Sequence, residues 1–246
     1  MKVPFSLEPR VIAMPNITIN TLDNQSFGAY MAVPASGQGP GLIVIQEIFG
    51  VNAGMRAICD HYASLGYIAI CPDLFWRQQP DIQLTDKTPA EWDRAMELFQ
   101  AFDVEAGVRD LFSTLAFLRK LEGVSGKVGA VGYCLGGKLA YLMAARADIE
   151  ATVSYYGVGL DQLLGEVHDV RSPLMLHIAG LDKFVPPPVR EKILKSMARN
   201  PVISAHVYEG VDHAFARPNG QNYNAEAATL ANQRTEAFFE EKLKGF

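Results

Sequence analysis

Lys127-Val128-Gly129-Ala130-Val131-Gly132-Tyr133-Cys134-Leu135-Gly136-Gly137-Lys138-Leu139-Ala140-Tyr141-Leu142-Met143 decides how this chain folds. Its first part, Lys127–Gly132, is a near-continuous apolar run of the kind that forms a strand buried on both faces. From Gly137 onward the pattern is helical. Between them stands Gly132-Tyr133-Cys134-Leu135-Gly136, a G-x-S-x-G sequence in strand–turn–helix context with a thiol in place of the hydroxyl. The glycines let the backbone turn sharply where side chains would clash with neighbouring backbone. The turn lifts Cys134 above the sheet beside a helix start, whose N–H groups favour negative charge. That setting suits a thiolate and the oxyanion formed when it attacks a carbonyl. Alone the pattern is weak, because free cysteine is also among the most buried residue types.

An acid and a histidine in the right places make it strong. Pro173-Leu174-Met175-Leu176-His177-Ile178-Ala179 is a second apolar run, bounded by Gly180 and followed by Asp182. Val202-Ile203-Ser204-Ala205-His206-Val207-Tyr208 is a third, closed by Glu209-Gly210 and followed by Asp212-His213-Ala214-Phe215. Nucleophile, acid and histidine in that order, each after a strand, follow the α/β-hydrolase sequence of parts. They also fall on the strand edge where open α/β sheets build their sites. His177 and His206 lie inside predicted strands, His61 in an amphipathic stretch and His168 in a polar connection, so these four read as structural. His213 alone occupies a loop after a strand. Asp182 is preferred to Asp212 as its partner, since a sequence neighbour supports the far ring nitrogen poorly.

The chain has 246 residues, 49% of them hydrophobic, and a net charge of −5. The length fits one domain over residues 1–246. The charge leaves no basic footprint, which argues against nucleic-acid binding. No apolar stretch approaches the roughly 20 residues that span a bilayer, and Met1–Arg10 lacks the apolar region of a secretory signal. These features predict a soluble cytoplasmic protein with no membrane partner, and a monomer. Cys59, Cys71 and Cys134 are too few and too scattered for a disulfide framework or zinc site. Neither a metal-ligand cluster nor a phosphate-cradling loop is visible, so no metal or cofactor is expected.

Asn16–Val33 alternates weakly and breaks at Asp23-Asn24, which predicts a hairpin. Buried-strand runs follow at Leu42–Gln46, Tyr67–Cys71, Lys127–Gly132, Ala151–Tyr155, Leu174–Ala179 and Ile203–Tyr208. Helical patterns separate most of them. Val104, Val108, Leu111, Leu115 and Leu118 form one apolar stripe. Thr88-Pro89-Ala90-Glu91 announces a capped helix in which Glu91 returns the capping bond. A last helix, about Ala225 to Leu243, places Ala227, Leu230, Ala231 and Phe238 inward. The alternation predicts a mostly parallel, doubly wound sheet of about eight strands with helices on both faces. The long connection from Pro72 to Thr88 leaves a strand end, where such stretches are often functional.

Together these residues resemble the dienelactone hydrolases, a thiol-using branch of the α/β-hydrolases. Besides the elbow, the resemblance rests on Gln46–Asn52, Cys71–Gln78, Ala101–Gly107, Tyr155–Leu160 and His213–Arg217. It implies Cys134 as nucleophile, His213 as base, Asp182 as the acid orienting it, and the backbone N–H groups of Ile48 and Leu135 as oxyanion hole. It further implies Arg77 and Arg217 as ligands for the carboxylate of a small anionic lactone. Glu47 would hold the thiol at rest and swing away when substrate arrives. The implied reaction opens dienelactone (4-carboxymethylenebut-2-en-4-olide) to maleylacetate, as in (chloro)aromatic catabolism.

The residues support the same chemistry directly. A thiol is mostly protonated at neutral pH, so the imidazole and helix start must favour the thiolate, while a carboxylate alongside opposes it. Thiolate attack, oxyanion stabilisation and departure of an enolate give a thioester, which water activated by His213 then cleaves. A broader carboxylesterase or thioesterase is the alternative within enzymes. A non-catalytic thiol sensor is the alternative outside them, although a sensor needs no acid behind its histidine.

Overall fold

The structure is a computed structural model and describes residues 11–245. Met1–Arg10, the stretch read above for a secretory signal, lies outside those residues. Eight strands run in chain order as β1 (Ile12–Asn20), β2 (Ser26–Val33), β3 (Gly39–Ile45), β4 (Ile68–Pro72), β5 (Val124–Tyr133), β6 (Ala151–Tyr155), β7 (Leu174–Ala179) and β8 (Ile203–Tyr208). They form one open sheet in the order β1-β2-β4-β3-β5-β6-β7-β8. The β1–β2 and β2–β4 pairs are antiparallel and the remaining pairs are parallel. The mostly parallel eight-stranded sheet expected from the alternation is therefore present, with an antiparallel hairpin at one edge.

The central strands have no exposed face. Every residue of β3, β4, β6 and β7 is buried, as continuous apolar runs require when helices cover both sides. The helices are α1 (Ala53–Ser64), α2 (Pro89–Gln100), α3 (Val104–Lys120), α4 (Leu135–Arg146), α5 (Pro187–Met197) and α6 (Ala225–Phe239). On one face α1 meets α6 through the edge-to-face pair Tyr62–Phe239. On the other, α3 and α4 pack together over β3 and β5, and α5 covers β8. The α3 stripe is buried at Val108, Leu111, Leu115 and Leu118, while Val104, at the first turn, is only partly buried.

Three local expectations are corrected. β3 begins at Gly39 because Gly39 and Gly41, silent in an apolar count, pair with Val124 and Val128 of β5. In α6 the buried line is Ala227, Ala231, Thr235 and Phe239, each one turn from the last. Leu230, about 100° away on the helix, is exposed, and Phe238 is only partly buried. At α2, Thr88 caps the helix as expected, accepting from Glu91 N–H. The Glu91 carboxylate, however, accepts from the N–H of Thr85 and the hydroxyls of Thr85 and Thr88. It thereby ties the long loop to the helix and does not close a reciprocal capping box.

Candidate active site

The carboxyl ends of β3, β5, β7 and β8 converge on one edge. Cys134 has φ 56° and ψ −112°, a conformation uncommon outside glycine and tolerated where surrounding structure enforces it. The enforcement is visible. Cys134 N–H donates to Tyr155 O at 3.0 Å, and Lys138 N–H donates to Cys134 O at 3.2 Å. A Cβ on Gly132 would strike the Gly136 carbonyl, and one on Gly136 would strike the carbonyls of Ile45 and Gln46. Glycine at 136 therefore lets the start of α4 press against the end of β3. That contact brings the segment leading to Ile48 beside the segment leading to Leu135. Among the described residues neither of those N–H groups donates to another protein group, and no side chain caps α4.

Asp182 lies just past β7 and His213 past β8. The imidazole Nδ1 lies 2.8 Å from Asp182 Oδ2, and both side chains are almost completely buried. Asp182 Oδ1 accepts from Phe184 N–H at 2.9 Å, which fixes the carboxylate's orientation. Asp212 accepts from the His213 backbone N–H and does not reach the ring. His213 Nε2 is buried without a hydrogen-bond partner. Cys134 stands beside the imidazole, close enough for its charge to act though not in hydrogen-bonding geometry. Burial disfavours the imidazolium, but once Cys134 is ionised its charge, together with the bond to Asp182, outweighs that cost and pushes the His213 pKa up to about 10. Phe184 and Tyr156 pack edge-on against the ring at 4.9 and 5.1 Å.

The remaining sequence-nominated residues separate into two places. Glu47 is buried and both its oxygens are taken by Arg217, from Nε at 2.6 Å and Nη2 at 3.0 Å. Arg217 also donates from Nη1 to Asp86 at 2.8 Å and stacks 4.8 Å over the Phe49 ring. Burial opposes its charge, yet the Glu47 and Asp86 carboxylates hold its pKa above the ordinary range. So at rest Glu47 is held by an arginine and makes no hydrogen bond to the thiol. Arg77 is elsewhere. Its Nη2 and Nε donate to Asp110 at 2.8 and 3.2 Å, and it lies 4.3 Å over the Trp76 ring. A cavity of about 270 Å³ is walled by Glu47, Phe49, Asp86, Tyr133, Tyr156 and Arg217 among others. Arg77 is not on that wall, and neither are the three side chains of the Cys–His–Asp group. Tyr133 and Tyr156 connect the two: one precedes Cys134, the other touches His213.

Two residues of this region escaped the sequence reading. Tyr156 has φ 38° and a buried hydroxyl without a partner; burial and then the charge of Glu47 keep that phenol protonated. Its place in the Tyr-Tyr-Gly run after β6 was visible, but its direction was not. Asp86 lies in a long polar loop, and no spacing tied it to Arg217.

The sheet order and the strained strand-to-helix elbow are those of the α/β-hydrolase class. Residues 27–243 match the model of the Dienelactone hydrolase family. A protein of Azospirillum brasilense named "Putative carboxymethylenebutenolidase" is 50% identical over 94% of this chain and 100% of its own length. The Carboxymethylenebutenolidase of Pseudomonas putida is 44% identical over 89% and 92%, respectively. Among solved structures, one titled "Putative Dienelactone Hydrolase" from Klebsiella pneumoniae subsp. pneumoniae superposes with a TM-score of 0.82 at 27% identity, covering 94% of this chain and 99% of that one. This chain belongs to the dienelactone hydrolase family.

Proposed function

We propose that this protein is a carboxylic ester hydrolase of the carboxymethylenebutenolidase type, opening a small lactone that carries a carboxylate. The observation that carries the reading is Arg217, a partly buried cation on the wall of a cavity that Tyr133 and Tyr156 link to the Cys134–His213–Asp182 group. The naming of relatives across nearly the whole chain supports the same activity.

In this reading the substrate's carboxylate competes for Arg217 with Glu47. Release of Glu47 from the guanidinium then leaves a buried carboxylate close to the elbow, where it can draw a proton from the thiol. Cys134 attacks the lactone carbonyl, and the N–H groups of Ile48 and Leu135 receive the oxyanion. The ring oxygen leaves as an enolate, which takes up the proton of the His213 imidazolium. Acylation removes the sulfur's charge, the first of the influences that raise the His213 pKa. Burial then pulls that pKa down, so the same imidazole becomes able to take a proton from water and cleave the thioester. Asp182 keeps Nδ1 occupied and Nε2 facing the reaction. Arg77 supports this site from outside, by fixing the loop after β4 through Asp110.

The direct test is turnover of dienelactone, followed as loss of its ultraviolet absorbance, beside p-nitrophenyl esters with and without a carboxylate. Preference for the acidic lactone is expected. Equal or better turnover of neutral esters would support the broader esterase reading instead.

A further inference from the structure

Arg217 serves two carboxylates at once, and they are anchored very differently. A guanidinium has five N–H donors; two go to Glu47 and one to Asp86. Glu47's carboxylate has no partner but Arg217 among the described residues. Asp86 is tied twice more. Its Oδ2 also accepts from Gln221 N–H at 3.2 Å, and its carbonyl accepts from Gln221 Nε2 at 2.7 Å. The loop after β4 and the loop after His213 are thus joined at Asp86. Both acid side chains are less than a tenth exposed, so two negative charges face one positive charge where water screens them poorly.

We propose that Asp86 is a specificity-determining residue: a fixed internal carboxylate that holds Arg217 in place and makes an acidic ligand displace Glu47. The inference rests on the reading of Arg217 as the carboxylate site. With Asp86 anchored through two loops and Glu47 through one contact, an incoming carboxylate exchanges with Glu47. The Asp86 charge repels every ligand acid that reaches the guanidinium. It therefore sets a threshold: affinity for anions is held down, and only an acid whose remaining body fills the apolar side of the cavity, at Phe49 and Tyr156, overcomes it.

The probe is 2-furoate, an unreactive planar five-membered-ring acid, titrated calorimetrically into the full-length protein. Asp86→Asn keeps an oxygen acceptor for Arg217 and Gln221 but removes the charge. It should bind furoate roughly tenfold more tightly than the wild type, the scale of one like charge removed at close range. Gln221→Ala keeps the charge and cuts only the side-chain tie to the Asp86 carbonyl, and should stay within about twofold of wild type. Arg217→Ala should lose binding. Should Asp86→Asn fail to fold, Asp86→Ser is read by the same titration. Equal or weaker binding by the neutral variants, retained binding by Arg217→Ala, or no furoate binding at all overturns the proposal. Lactone turnover does not enter this titration, so its failure would count against the reaction and not against the role of Asp86.

Discussion

Arg77 and Arg217 are equivalent on paper, each a loop arginine past a strand end, yet the fold gives them opposite surroundings. Arg77 is paired with Asp110, whose side chain is 1% exposed, and lies against Trp76, off the wall of the cavity that Arg217 lines. Arg217 is set between Glu47 and Asp86 on the wall of a cavity next to the elbow. Asp110 also accepts from Trp76 Nε1 at 2.8 Å, so Arg77 completes a structural knot. Arg217's partner Glu47, by contrast, has no other partner for its carboxylate among the described residues, and in the proposed reading it is the one a substrate carboxylate replaces. What a charged side chain does is decided by how firmly its counter-charge is held.

The contrast is broken most forcefully by alanine at each arginine. Arg217→Ala should lower kcat/KM for an acidic lactone about a hundredfold, the worth of two charge-assisted hydrogen bonds, while the same measurement with a neutral ester falls far less. Equal losses on both substrates would place Arg217 with Arg77 as a structural group. Arg77→Ala should instead show in urea denaturation, costing about 2–3 kcal/mol because Asp110 stays buried with two of its three side-chain hydrogen bonds gone. A wild-type-like midpoint combined with a selective loss on acidic substrates would reverse the two assignments.

His213 sharpens the comparison because, unlike either arginine, its charge changes in an accessible range. Its folded pKa of about 10 exceeds the ordinary 6.5. Pairing of the imidazolium therefore stabilises the fold fully below about pH 6.5, and that stability is lost as pH rises through about 10. The Tm gap between wild type and His213→Gln should accordingly narrow between pH 7 and pH 10.5, and a constant gap would contradict the pairing. The smallest effect belongs to the loop that carries Asp86. Thr88→Ala removes the α2 cap and should cost about 1 kcal/mol in denaturant melts, with little change at the Arg77 side.

Much of this was legible from residue order. Strands β6 and β7 are bounded as their apolar runs suggest, since parallel strands buried on both faces carry that signal along their whole length; β8 keeps the bounds of its run although, as an edge strand, it is mostly only partly buried. The Asp182–His213 contact was also readable, because strand ends of a parallel sheet necessarily gather on one edge. β3 was cut short for want of side chains at Gly39 and Gly41, which only pairing reveals. The ion-pair partners were not readable. Glu47 and Arg217 are 170 residues apart, and Asp86 arrives from a third segment. Nothing in local periodicity encodes which acid an arginine meets.

The central claim is that Cys134 carries the acyl group. Intact-protein and peptide mass spectrometry on His213→Gln, mixed with dienelactone and quenched, tests it most directly. The account predicts a substrate-sized addition confined to the peptide containing Cys134 and absent from Cys134→Ala. Turnover by Cys134→Ala at the wild-type rate, or an adduct on Cys59 or Cys71 alone, would contradict it.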